Sequence, residues 1–491
     1  MITNQLPNII LIVLDAARSN YFGCYGHSDG LTPNLDKLAE ESIVYKNFIA
    51  SGPGTAISQG SMFLGQHPTR SGISHILSQF DQNVSNLPSM LKDAGYRTFG
   101  HSKQLVQPII FPETFRFDEI IYKDNKNDLS RINLKREAIN LIKKSPKVWK
   151  AINWMYEGLN SPEKVLRQKR RRFDGKASLE YLYKKCKDMD GPLFLYTTLL
   201  HPHTPFCPPE WILRNLLQKK NQSFDPRGYQ IQNQFQAFMN GDLGECKEEI
   251  EAMITLYKGE LMYADYIVGK FLERLKTIGK YDNSLIFLTS DHGELLGEHG
   301  EINHGVTLYD EVLRIPAMIK MPGSAECREV DDCATHFDIL PTIMDFIGFS
   351  STLTQSDIYD GISLFNLNAQ RALVVESPPV LFPERFNDYP KVKQKQSRIW
   401  RGFLDKYFKY IWRSDGYRAL FKSGDYESGE NNLIGQKPKI AEKMHNEMLK
   451  YYSDINPNFR IDEYPIKISP TAAGYMTSPR YMTELERHGF I

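Results

Sequence analysis

Seven side chains able to bind a metal or move a proton fall within fourteen residues: Asp291, His292, Glu294, Glu298, His299, Glu301 and His304. Directly before them runs Leu285-Ile286-Phe287-Leu288, an apolar stretch short enough for a fully buried strand. Asp291 and His292 would then stand side by side just beyond that strand's C-terminal end. A carboxylate oxygen beside an imidazole nitrogen suits Zn, Mn or Fe, and Mg or Ca less comfortably. Gly293 and Gly297 let the backbone turn away into a polar loop that carries the other two histidines.

Such a site needs partners from elsewhere, and other predicted strands end in the same kind of residue. Asn8 to Leu14 is a β-branched run closed by Asp15. A strand near Tyr96–Gly100 precedes His101 and Lys103, and Leu193 to Leu200 leads into His201-Pro202-His203. Thr55 stands after Gly52-Pro53-Gly54, before a helix that runs to Leu64 and stops at Gly65. Thr32-Pro33 opens a capped helix, Leu87–Ala94 is a short one, Leu256–Leu275 a long amphipathic one, and Thr335–Ile347 another. Strand and helix alternate, which predicts an α/β doubly wound sheet. In such a sheet ligands bind beyond the carboxyl ends of the strands, so these distant residues can converge.

From about residue 380 the pattern changes to alternating aromatic segments, Ser397–Trp400 and Tyr407–Trp412, followed by a helix over Lys439–Tyr452. The expected organisation is a catalytic α/β domain over 1–380, a smaller antiparallel subdomain over 381–465 and a tail over 466–491. Residues 120–175 are rich in Lys, Arg and Asn and read as a basic helical insertion with a solvated face.

Composition narrows the function. Sixty Lys and Arg against fifty-nine Asp and Glu give a net charge of +1, so no nucleic-acid partner is expected. Six cysteines are scattered without Cys-x-x-Cys spacing, which argues against a disulfide framework or a structural zinc site. The apolar part of the N-terminal segment ends at Asp15, too short for a signal region or a membrane span. The sequence is read as a reduced, cytoplasmic protein without a transmembrane segment, and a homo-oligomer stays open.

Together these pieces resemble the sulfatase branch of the alkaline phosphatase superfamily. The match is carried by Leu14-Asp15-Ala16-Ala17-Arg18, Thr32-Pro33-Asn34-Leu35-Asp36, Gly95-Tyr96-Arg97-Thr98, Pro202-His203-Thr204-Pro205, Ser290-Asp291-His292-Gly293-Glu294, Phe337-Asp338-Ile339-Leu340-Pro341-Thr342 and Asp360-Gly361-Ile362-Ser363-Leu364, in family order. The resemblance implies an alkaline-phosphatase-like mixed sheet flanked by helices. Sulfatases carry Cys or Ser in a Cys/Ser-x-Pro-Ser-Arg motif that becomes formylglycine. Counting back from Gly65, that place holds Thr55, and Gln59 replaces the Arg. No formylglycine is therefore expected. Ala16 stands where many sulfatases have a second Asp, and His304 where they commonly have Lys.

These departures resemble the phosphoryl-handling relatives with a Thr nucleophile. They imply one divalent metal ion (Mn, Zn, Mg or Ca) held by Asp15, Thr55, Asp291 and His292. The metal would lower the pKa of the Thr55 hydroxyl for attack on phosphorus. Lys103 and His203 would balance charge, and His304 or His203 would protonate the leaving oxygen. Arg18 would orient Asp15 from behind; His101 could replace Lys103; His201 and His299 are lesser candidates. The expected substrate is a small anionic ester, a phosphate mono- or diester, hydrolysed or transferred through a covalent phospho-enzyme. Two alternatives stand beside this reading: a sulfuric ester hydrolase working without formylglycine, and a catalytically silent binding protein on a sulfatase scaffold.

Overall fold

The computed structural model describes residues 6–73, 84–102, 115–121, 174–220, 223, 225, 227–231, 246–349, 359–367, 371–379, 394 and 397–464. Lys103, the basic insertion beyond residue 121 and the tail beyond residue 464 lie outside them.

The chain opens with β1 (Asn8–Asp15), α1 (Pro33–Ala39), β2 (Ile43–Tyr45), α2 (Thr55–Leu64), α3 (Leu87–Asp93), β3 (Arg97–Ser102) and β4 (Glu119–Ile121). It continues through α4 (Lys176–Asp188), β5 (Leu193–Pro202), α5 (Lys247–Thr277), β6 (Ser284–Ser290), β7 (Ala317–Lys320), β8 (Arg328–Val330) and α6 (Ile339–Phe346). These eight strands form one sheet in the order β8-β2-β7-β6-β1-β5-β3-β4. Only β7 runs against its neighbours, pairing antiparallel with both β6 and β2. β1 lies at the centre, parallel to β5 on one side and β6 on the other.

The period-two alternation of β1 builds both layers. Ile9, Leu11 and Val13 face a core that includes Phe63 of α2, Leu91 of α3 and Leu340 of α6. Ile10, Ile12 and Leu14 face the other, with Leu35 of α1, Leu182 of α4 and Leu256 of α5. A strand covered on both faces must be apolar throughout, which is why Asn8–Leu14 reads as a continuous hydrophobic run.

Helix α1 starts at Thr32 as expected, but the threonine does not cap it. The cap comes from α5: Asp265 Oδ1 accepts from the N–H groups of Asn34 and Leu35, at 2.9 and 2.8 Å. An acceptor two hundred residues away cannot be seen in the local sequence. Asp265→Ala should cost about 1–2 kcal/mol in chemical unfolding, the usual worth of a lost helix cap. Equal denaturation midpoints for variant and parent would contradict that role.

A separate antiparallel sheet follows, β9 (Leu373–Ser377), β10 (Trp400–Leu404), β11 (Phe408–Arg413) and β12 (Arg418–Lys422), backed by α7 (Pro438–Ile455). Buried ion pairs fasten it to the α/β layers. Lys409 Nζ on β11 lies 2.6 Å from Asp310 Oδ1 and 2.7 Å from Glu427 Oε1. Among the described residues no helix is long and apolar enough to cross a membrane.

Candidate active site

Parallel pairing sets Leu14 opposite Ser290, so the next residues, Asp15 at the end of β1 and Asp291 just past β6, emerge together. The joint is held by hydrogen bonds. Asp291 N–H donates to the Leu14 carbonyl at 3.2 Å, and Ala17 N–H to Ser290 Oγ at 2.8 Å. Ala16 turns the chain with φ +63°, a left-handed conformation that costs a non-glycine residue about 1 kcal/mol. That turn aims its N–H at Asp291 Oδ1 (3.2 Å) and its carbonyl at the Tyr257 hydroxyl (3.0 Å).

Asp15, Asp291 and His292 offer ligand atoms within 4.8 Å of one another, and all three are buried. His292 Nδ1 lies 2.9 Å from the Gly293 carbonyl. The proton therefore belongs on Nδ1, and the lone pair of Nε2 faces Asp15 Oδ1 at 3.6 Å and Asp291 Oδ2 at 3.7 Å. Thr55, the first residue of α2, puts Oγ1 3.3 Å from the same Nε2. The four residues expected to share a metal thus converge from three elements. The helix N-terminus adds a favourable dipole for an anion at that hydroxyl.

The set fits a divalent cation. Two carboxylates are buried together, and Asp291 Oδ2 accepts no hydrogen bond among the described residues. Burial disfavours a charged His292, yet the carboxylates of Asp291 and Asp15 outweigh it and hold its pKa above the ordinary value. The pocket therefore calls for positive charge, which a divalent Mn, Zn, Mg or Ca ion bound by three oxygens and one imidazole nitrogen would supply.

Two further imidazoles close the cluster. The ring of His304 lies 4.0 Å from that of His292 and 4.9 Å from that of His203, centre to centre. His203 Nδ1 bonds the Thr204 carbonyl. Burial lowers the pKa of His203, and lowers that of His304 well below the usual range, where its two neighbouring rings add to the effect. His304 Nδ1 lies 2.9 Å from Glu294 Oε1, and burial pushes Glu294 up to about 7.

The lesser candidates point elsewhere. Arg18 does not orient Asp15: its guanidinium donates to the Glu294 carbonyl (3.1 Å) and Glu298 Oε1 (2.7 Å), because the turn at Ala16 swings the following chain away. His201 Nδ1 pairs with Glu260 of α5 at 2.5 Å. The β1–β5 register shifts between Leu14 and Asp15, where Asp15 meets Pro202. His101 follows Phe99 in alternation and bonds Ser178 of α4 at 2.8 Å, so it faces that helix and not the cluster. His299 is stacked between Tyr309 and Tyr426, with Nε2 3.2 Å from Glu311.

Two residues to which the sequence reading gave no role support the site: Glu294, and His336 just before α6. His336 Nε2 lies 2.9 Å from the Ser290 carbonyl, while its Nδ1 accepts from Ser51 N–H at 3.2 Å. It ties the loop before Thr55 to the strand before Asp291. Burial holds its pKa down to about 4, so it is a neutral strut.

A mixed sheet with paired carboxylates at its strand ends, facing a helix that begins in a hydroxyl, defines an alkaline-phosphatase-like hydrolase. The sulfatase family model matches residues 7–349. The chain belongs to the sulfatase family, metal-dependent enzymes of the alkaline phosphatase superfamily that hydrolyse sulfate or phosphate esters. It is 24% identical over 497 residues to the uncharacterized sulfatase YidJ of Escherichia coli (strain K12), covering 94% of this chain and 90% of that one. It is 25% identical over 402 residues to the arylsulfatase of Clostridium perfringens, covering 74% and 79%. Its fold is similar to that of the phosphonate monoester hydrolase of Agrobacterium radiobacter, with TM-score 0.66 at 16% identity over 91% of this chain and 96% of that one.

Proposed function

We propose that the protein is a metal-dependent hydrolase, or transferase, of phosphate mono- or diesters that uses Thr55 as its nucleophile. The observation that carries the reading is the approach of Thr55 Oγ1 to His292 Nε2, 3.3 Å, beside the buried Asp15 and Asp291. A divalent cation held by Asp15, Asp291, His292 and Thr55 would lower the pKa of the threonine hydroxyl and offset charge on the ester oxygens. Thr55 Oγ1, its proton released to solvent, attacks phosphorus in line with the leaving oxygen. His304 or His203 gives that oxygen a proton as it departs. The anion bound against their rings favours the imidazolium that does so. The phosphothreonine is then opened by water, or by an acceptor alcohol in a transferase. Lys103, two residues beyond His101, keeps its proposed part in balancing charge on the ester.

Hydrolysis of sulfate esters is the second reading, favoured by the sulfatase names of the sequence relatives. Against it stand Thr55 at the formylglycine place and Gln59, a neutral residue bonded to Thr198 Oγ1 at 3.3 Å, where the motif has Arg. The two readings separate on a panel of nitrophenyl phosphate, bis-nitrophenyl phosphate, a nitrophenyl phosphonate and nitrophenyl sulfate. We expect phosphorus esters to be turned over at least ~10-fold faster in kcat/KM than the sulfate, a difference above about 1.4 kcal/mol in the barrier. Turnover of the sulfate alone would overturn the proposal.

A further inference from the structure

We infer that Glu294 is a positioning residue for this reaction, holding His304 by Nδ1 so that Nε2 of that ring addresses the leaving oxygen. The inference rests on the Thr55 reading of the site. His304 comes from a loop that cannot orient its ring alone. It sits between Asn303 (φ +81°) and Gly305 (φ +102°), after a two-residue strand pairing with Leu295–Leu296. Glu294 Oε1, 2.9 Å from His304 Nδ1, is the ring's hydrogen-bond partner among the described residues.

Glu294 is itself fixed. Its side chain is buried, its N–H donates to the Glu311 carbonyl (3.1 Å), and its carbonyl accepts from Arg18 (3.1 Å). Arg18 is held in turn by Glu298, whose Oε2 accepts from Leu296 N–H at 2.7 Å. A run of contacts, Glu298 to Arg18 to Glu294 to His304, ends at the cluster facing Thr55. This gives Arg18 a purpose other than orienting Asp15. In turnover His304 Nε2–H passes its proton to the ester oxygen as the phosphorus–oxygen bond breaks. It takes a proton back from the water that opens the phosphothreonine.

The test uses the metal-loaded protein and two phosphodiesters, one with an alkyl and one with a nitrophenyl leaving group. The alkoxide needs a proton to depart and the nitrophenolate does not. Glu294→Ala and His304→Ala should each lower the alkyl-to-nitrophenyl ratio of kcat by the same factor, at least about tenfold, within the usual range for a lost general acid. The double variant should lower it no further. Glu294→Gln, which keeps an oxygen for Nδ1–H, should restore most of the ratio. Glu294→Asp, charged but too short to reach, should not, and it serves if the alanine variant fails to fold. Equal slowing of both esters by Glu294→Ala, or losses that multiply in the double variant, would overturn the inference. Thr55→Ala is the control: unimpaired turnover there would refute the nucleophile reading and not the placement of His304.

Discussion

Thr55→Ala should lower turnover of every ester the protein accepts by at least about 10⁴-fold, the scale on which removal of an attacking oxygen is felt. Stability should hardly change. The side chain is half-buried at the first position of α2, and Gly54, not Thr55, is the residue that precedes the helix. The hydroxyl's hydrogen-bond contact is His292 Nε2. Thr55→Ser keeps the oxygen at the same place and should stay within about tenfold of the parent, since it removes only a methyl group and some rotamer restriction. Steady-state kinetics on the preferred phosphorus ester checks both. A loss below about 100-fold in the alanine variant would reduce Thr55 to a binding group.

Asp291→Asn should reverse the order of stabilities between metal-free and metal-loaded protein. Without a cation, Asp15 and Asp291 are two buried carboxylates in one small cluster, and a unit charge pair about 5 Å apart repels by roughly 3 kcal/mol at an effective dielectric of 20. Asparagine removes one charge. Its amide oxygen can still accept from Ala16 N–H and His292 N–H, the two bonds Asp291 Oδ1 makes now. In chelator, at a pH high enough to leave His292 neutral, the variant should therefore melt above the parent. In saturating metal the parent gains about 2.7 kcal/mol at a hundred times its Kd, and the variant gains little. Calorimetry with and without metal gives both numbers. A variant that melts below the parent in chelator would mean that the carboxylate is there for structure. That outcome would suit a silent scaffold better than a metal enzyme.

The sheet and the cluster were legible to different depths. Asp15, Asp291 and His292 could be read because each follows a continuous apolar run, and a buried parallel strand presents chemistry at its carboxyl end. Thr55 could not be found that way; no periodicity marks it, and only the spacing to Gly65 in a resembling family did. Side chains beyond regular geometry could not be aimed from the sequence. Arg18 lies three residues past Asp15 but beyond a left-handed alanine, and no helix or strand rule carries its direction across that turn. His201 and His203 would share a face on an ideal strand, but His203 lies beyond the end of β5, where alternation no longer carries its direction. Glu294 was visible as one of four acids, without any signal that it would be the one to hold His304. That α1 is capped was legible, but not that Asp265 supplies the cap, because that is a tertiary fact.

The central claim is that Thr55 itself becomes bonded to phosphorus. Acid quench of the metal-loaded protein within its first turnovers on bis-nitrophenyl phosphate, followed by peptide mass spectrometry, tests it. The account predicts a nitrophenylphosphoryl adduct on the peptide carrying Thr55, localised to that residue, formed in a burst and absent from Thr55→Ala. Stable adduct on Ser51 or elsewhere, or full turnover with no adduct at any time, would contradict it.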